Sequence, residues 1–144
     1  MNKYYFEQKS LEELENSNWN ETNFPTGLVT EIFYLRKKKL KDFDANDIRM
    51  MIGQNLGLEY LIPMALKILQ KDILEDALFY PGDLLSAVLN SKKNYWDGNN
   101  SKKEELVTLL EANSHEILSS TIINKEIKMQ LLQDIARYIK PPIL

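Results

Sequence analysis

DIRMMIGQNLGLEYLIPMALKIL, residues 47–69, is the stretch on which the fold turns. Ile48, Met51, Ile52 and Leu56 recur three or four positions apart, the spacing that lines one face of a helix and not the alternation of a strand. Asp44, just ahead, sits where its carboxylate can accept from the open amides of a first helical turn. Gly57 then separates this helix from a second apolar run, in which Pro63 is best tolerated near a helix start. The two helices are expected to pack as a hairpin. Residues 56–69 contain Glu59, Pro63 and Lys67, and they fall short of the roughly 20 apolar residues that a membrane span requires. A buried core helix is the expectation, with no membrane partner.

Working outward, helical spacing continues almost everywhere, and only five glycines and five prolines punctuate the chain. Ser10 and Glu13 have the form of a capping box, opening a helix over about 10–16. Beyond a loop at 16–25, Thr26 can cap a helix with Leu28, Val29, Ile32, Phe33 and Leu35 in one stripe, ending near RKKKLK at 36–41. In FYPGDLL, 79–85, Pro81 fixes φ and Gly82 permits a tight bend. Asp83 is expected to accept from the amides of the helix carrying Leu84, Leu85, Val88 and Leu89, with Phe79 and Tyr80 packing back on the preceding helix.

Residues 90–103 are polar and turn-rich and read as a long loop. Ser101 with Glu104 forms a second capping box before Leu106, Leu109 and Leu110, and a shorter helix is expected around Ile117 and Leu118. Asn124 caps a last helix with Ile127, Leu131, Ile135 and Tyr138 on one face, stopped by Pro141 and Pro142. No internal repeat emerges. The expected fold is all-α, one compact bundle of about seven or eight short helices forming a single domain over residues 1–144.

At 144 residues, 44% hydrophobic and 27% charged, the chain can bury a sizeable core. It has no cysteine, which excludes disulfides, thiolate metal sites and cysteine nucleophiles and fits a reducing compartment. The start MNKYYFEQKS lacks the apolar run of a secretory signal, so a cytoplasmic location is expected. A net charge of −3 disfavours general nucleic-acid binding, which needs a basic surface to displace counterions from phosphates. Acidity serves solubility or a basic partner.

Catalytic chemistry has little to work with. There is one histidine, His115, and no HExxH, Walker or GxGxxG pattern. Asp42, Asp44 and Asn46 begin like a calcium loop, but Asp47 stands where the turn wants glycine and Gly53 where a bidentate glutamate should close the cage. Gly53 and Gly57 form a GxxxG that allows close backbone approach and nothing more specific. The cations of RKKKLK sit at a helix end, where they complement its dipole. No catalytic residue, metal or cofactor is assigned. Trp19, Tyr95 and Trp96, set in polar segments, are candidate interface anchors, although burial explains each equally well.

LRKKKLKDF at 35–43, the hairpin at 47–69, and FYPGDLLSAVL at 79–89 with a following Trp96 together form an ordered set of motifs. The set resembles the immunity proteins of bacterial contact-dependent growth inhibition, one family of which carries LRxxPL, then DLRxLIxQxxGLxYLxPxAL, then YPGDLLxAVL and a tryptophan. The resemblance runs from about Leu11 to Trp96 and carries onto Arg36, Arg49, Gln54, Gly57, Tyr60, Pro63, Tyr80, Pro81, Gly82 and Asp83. Lys39 departs from it, standing where the pattern often has proline.

The resemblance implies a cytoplasmic inhibitor that binds and blocks a toxin domain delivered by a neighbouring cell, such toxins being frequently nucleases, RNases among them. An acidic inhibitor would be steered to the basic cleft of such an enzyme and occlude it. The expected partner-binding residues are Asp72, Glu75, Asp76 and Asp83 as an acidic rim continued by Asp97, with Tyr80, Tyr95 and Trp96 as aromatics. No direct nucleic-acid contact is expected. A helical adaptor without a toxin partner is the alternative, and an RNA-interacting module using RKKKLK and Trp96 is a third reading.

Overall fold

The computed structural model describes residues 5–18 and 27–140; Trp19, the cap expected at Thr26 and the stop at Pro141 and Pro142 lie outside them. Eight α-helices follow one another among the described residues: α1 (Leu11–Leu14), α2 (Gly27–Lys37), α3 (Ala45–Gly53), α4 (Leu58–Lys71), α5 (Asp83–Leu89), α6 (Lys93–Asp97), α7 (Asn100–Ser119) and α8 (Lys125–Ile135). Single 3-10 turns occupy Tyr5–Gln8 and Leu40–Asp42. No strand forms among these residues, and the extended pairing is limited to isolated bridges, Ser10 with Lys39 and Asp76 with Pro81. The fold is all-α, as the periodicity requires.

Local capping accounts for several boundaries. Ser10 Oγ accepts the Glu13 amide while Glu13 Oε1 accepts the Ser10 amide, the reciprocal box that opens α1. Asp44 and Asp47 make the same exchange at the start of α3, and Asn124 Oδ1 accepts the Ile127 amide to start α8. Gly57 opens α4 at φ +63°, with the Leu11 methyls 2.8 and 2.9 Å from where a Cβ would stand. The glycine therefore serves both the left-handed turn and the close approach of α1.

Burial joins the helices. Ile48, Met51 and Ile52 of α3, Leu61, Ile62, Ala65 and Leu69 of α4, and Leu84, Leu85, Val88 and Leu89 of α5 form the centre, α3 packing against both neighbours. Helices α7 and α8 pair with each other and close on this centre through Leu106, Leu110, Ile117, Leu131 and Ile135. On the other side α1 docks on α2, where the buried Arg36 guanidinium donates to Glu15 Oε1 at 2.6 Å and to the Ser17 carbonyl at 2.8 Å.

Three local expectations are corrected. Residues 90–103 are not a long loop: α6 forms there, because Tyr95 and Trp96 enter the core and outweigh the polar composition around them. Trp96 Nε1 donates to Ser91 Oγ at 2.9 Å, and Ser91 Oγ donates to the Val88 carbonyl at 2.6 Å, so the one polar atom of the indole is satisfied inside. Ser101 is not a cap. Helix α7 starts at Asn100, and the Asn99 side chain in the N-cap position donates backward to the Tyr95 carbonyl instead. Nor is there a separate helix at Ile117. The apolar stripe of Leu106, Leu110 and Ile117 runs through ANSH without a break, and Asn113 turns its amide onto the Leu109 carbonyl within α7.

Candidate functional site

The connection from α4 to α5, residues 72–82, is built by backbone amides finding partners. Asp72 Oδ1 accepts the Leu74 amide at 3.0 Å, turning the chain as α4 ends. The Gly82 amide donates to the carbonyls of Leu74 and Glu75, closing the loop on itself. Gly82 holds φ +95° with Leu131 Cδ1 of α8 3.0 Å from a Cβ position, so α8 packs directly beneath the bend.

Asp83 organises the crest. Its Oδ1 accepts the Ala77 amide at 2.8 Å, and its Oδ2 accepts the amides of Leu78 and Phe79 at 3.1 and 2.9 Å. The carboxylate is expected to cap the helix that follows; it reaches back instead into the preceding loop, where the bend brings three successive amides onto its two oxygens. Asp83 is 4% exposed. The Arg49 Nε of α3 lies 3.9 Å from Asp83 Oδ2, and the Arg49 guanidinium stacks 4.6 Å from the centre of the Phe79 ring. Two nitrogens of Arg49 also donate to Asn46 Oδ1, which fixes the stack.

Holding the backbone this way turns the side chains out. Phe79 is 67% and Leu78 58% exposed. Phe79 therefore does not pack back on α4 as expected; Arg49 covers one of its faces. Leu78, Phe79 and Arg49 are the surface features that sequence reasoning missed. The available signal was Pro81-Gly82, since a turn of this kind carries its neighbours across the surface.

The expected site residues divide. Asp72 and Asp76 are exposed beside the crest, and Tyr80 is half-buried. Asp83, Tyr95 and Trp96 are interior: Trp96 sits edge-on to Tyr95 and to Tyr138 at 4.9 and 5.9 Å. Burial pushes the Tyr95 hydroxyl up to about 12, with the charges of Glu105 and Glu59 adding to it. Asp97 is exposed on α6, 3.4 Å from Lys93, on a cleft of about 340 Å³ that Lys103 and Arg137 also line. Glu75 borders a different cleft, of about 350 Å³, whose other charged walls are Glu7, Lys41, Lys67 and Lys71.

Charge follows the same segment. Residues 72–99 hold Asp72, Glu75, Asp76, Asp83 and Asp97 against Lys92 and Lys93, an excess equal to the net charge of the whole chain. His115 is exposed on α7, and among the described residues no group of three or more acidic or histidine side chains is placed to hold a metal ion.

A family model described as CDI immunity proteins matches residues 13–106, well over half of the chain. The chain belongs to the CDI immunity proteins. Neither a curated protein nor a solved structure matches it. The matched range of this immunity protein contains the whole 72–82 loop, its Asp83 anchor, Arg49 and the buried Trp96, whereas α8 lies beyond it. Membership of the family implies a CDI toxin as the partner that the protein neutralises. Among the described residues no helix of the immunity protein is long and apolar enough to cross a membrane.

Proposed function

We propose that the immunity protein docks the crest of its 72–82 loop onto a basic face of its toxin domain and blocks that face physically, performing no chemistry. Leu78 and Phe79 form the apolar centre, and Asp72, Asp76 and the half-buried Tyr80 form its rim. The observation that carries this reading is the Asp83 clamp. An exposed aromatic on a backbone segment held by three hydrogen bonds to a buried carboxylate, one of them its own, loses little further backbone freedom on binding, so more of its contact energy appears as affinity.

The exposed carboxylates of Asp72 and Asp76 beside the crest support a basic partner, and a nuclease fits because it must offer a positive cleft to phosphates. A specific interface of this kind buries about 1,600 Å² in total, enough to cover the crest and its surroundings. The test is co-expression of the full chain with the toxin domain encoded immediately upstream. Copurification, protected growth and loss of nuclease activity in the complex are expected. The reading fails if Phe79→Ala and Asp76→Lys leave toxin affinity untouched, or if the toxin domain proves acidic.

A further inference from the structure

The Asp83 clamp sets the backbone of Phe79 and leaves its side chain unset, because its three hydrogen bonds come from main-chain amides. A phenylalanine on such a backbone still chooses among staggered χ1 wells. Arg49 of α3 supplies what the clamp does not. Its guanidinium lies 4.6 Å from the centre of the Phe79 ring, and its Nε lies 3.9 Å from Asp83 Oδ2, the same oxygen that accepts the Phe79 amide. Nε and Nη2 also donate to Asn46 Oδ1, three residues back on α3, at 3.0 and 2.7 Å, so the guanidinium plane is held from behind. With 18% of its side chain exposed, Arg49 is itself largely screened from a partner, whereas Phe79 is not.

We infer that Arg49 is a positioning residue for toxin binding: it selects the rotamer in which Phe79 is presented, so the side chain of the anchor as well as its backbone is set before the partner arrives. The inference rests on the docking role proposed for the 72–82 loop. Stacking on a guanidinium favours one orientation of an otherwise solvated ring, and an ordered anchor is spared the ordering cost that a free side chain meets on association. The same contact restricts the chemistry of the partner. One face of the ring is occupied by a cation, so a second cation against the opposite face would meet like charge across the ring. The toxin surface that receives Phe79 is therefore an apolar slot taking the free face and edge of the ring, and its basic groups lie outward over the exposed Asp72 and Asp76.

The test is a double-mutant cycle on the affinity of the full chain for the toxin domain encoded upstream. Arg49→Lys keeps a positive charge beside Asp83 and removes the planar stack; it is expected to weaken binding about fivefold. In the Phe79→Ala background the same substitution is expected to change affinity by less than about twofold, because its route to the toxin has gone. Asn46→Ala leaves both charges in place and frees the guanidinium, and should weaken binding about twofold. In the free protein, three-bond couplings across the Phe79 χ1 are expected to report one rotamer for the parent and averaging for both variants. If Arg49→Lys binds normally while Phe79→Ala binds weakly, or if it weakens binding equally with and without the ring, the inference is overturned and the docking role of the loop stands. Couplings already averaged in the parent, or unaveraged in Arg49→Lys, overturn it too. Should Arg49→Lys fail to fold, the same cycle run with Asn46→Ala decides between these outcomes. If Phe79→Ala itself binds normally, the docking role fails.

Discussion

The backbone N–H of Phe79 donates to Asp83 Oδ2 at 2.9 Å, so an aromatic side chain that is 67% exposed hangs from a carboxylate that is 4% exposed. The bond couples the interior of the helical body to its surface. It also separates two kinds of residue: those that shape the loop and those that the loop displays.

Asp83→Asn keeps the volume and removes the charge and one acceptor oxygen, leaving an amide NH2 facing backbone donors. Loss of a charged acceptor from a buried site is expected to cost about 2–3 kcal/mol. Urea denaturation followed by circular dichroism measures it, and a change within 0.5 kcal/mol, the usual scatter of neutral surface substitutions, rejects the clamp.

Phe79→Ala is expected to behave in the reverse manner. Its ring is largely solvated, so stability should stay within about 0.5 kcal/mol of the parent, while affinity for the toxin falls by about 2 kcal/mol, as for an interface anchor. Calorimetric unfolding and titration with the toxin domain give the two numbers independently.

Gly82→Ala meets two obstacles at once: φ of +95°, and Leu131 Cδ1 3.0 Å from the new Cβ. A destabilisation of about 1–3 kcal/mol is expected from the backbone alone. Pairing it with Leu131→Ala, which clears the contact but opens the core, should show non-additivity in a double-mutant cycle.

Tyr95 makes alkaline stability informative. Its buried hydroxyl is held up to about 12, whereas in the unfolded chain it ionises at its ordinary value near 10. Between those values the unfolded state binds fewer protons, so stability must fall as pH rises; the contribution is complete below about pH 10 and lost towards pH 12. Thermal melts across this range should slope downward, and Tyr95→Phe should flatten part of the slope. Burial raises the Tyr138 and Tyr60 hydroxyls too, and the hydrogen bond to Asp47 raises Lys38, so these groups share the remainder.

Lys39→Pro tests the departure from the family pattern. Helix α2 has already ended at Lys37, and Lys39 sits at φ −64° and ψ 137°, the values proline prefers. The helix therefore ends without a proline, and introducing one should raise stability by about 0.4–1 kcal/mol through the unfolded chain. A lower midpoint in urea would show that its amide matters to the Ser10–Lys39 bridge.

Legibility in the sequence followed the range of the forces involved. The reciprocal cap at Ser10–Glu13, the caps at Asp44 and Asn124 and the turn at Gly57 depend on residues a few positions apart and were readable, whereas the bond that Asp47 returns to Asp44 was not read. The buried stripes of α3, α5 and α8 were readable for the same reason, through helical period. Asp83 was readable as an acceptor but not for direction, because the open amides before it and those after it lie equally near in sequence.

What the sequence determined by itself is the all-helical architecture, the hairpin of α3 and α4, and, through its ordered motifs, the immunity-protein family. Tertiary structure alone decided that Tyr95 and Trp96 lie inside while Leu78 and Phe79 lie outside, although all four sit in segments of similar local character. The reason is competition for a finite interior: Trp96 found Ser91 for its indole N–H and could be buried, whereas the amides of Leu78 and Phe79 were drawn onto Asp83, which turned their side chains to solvent.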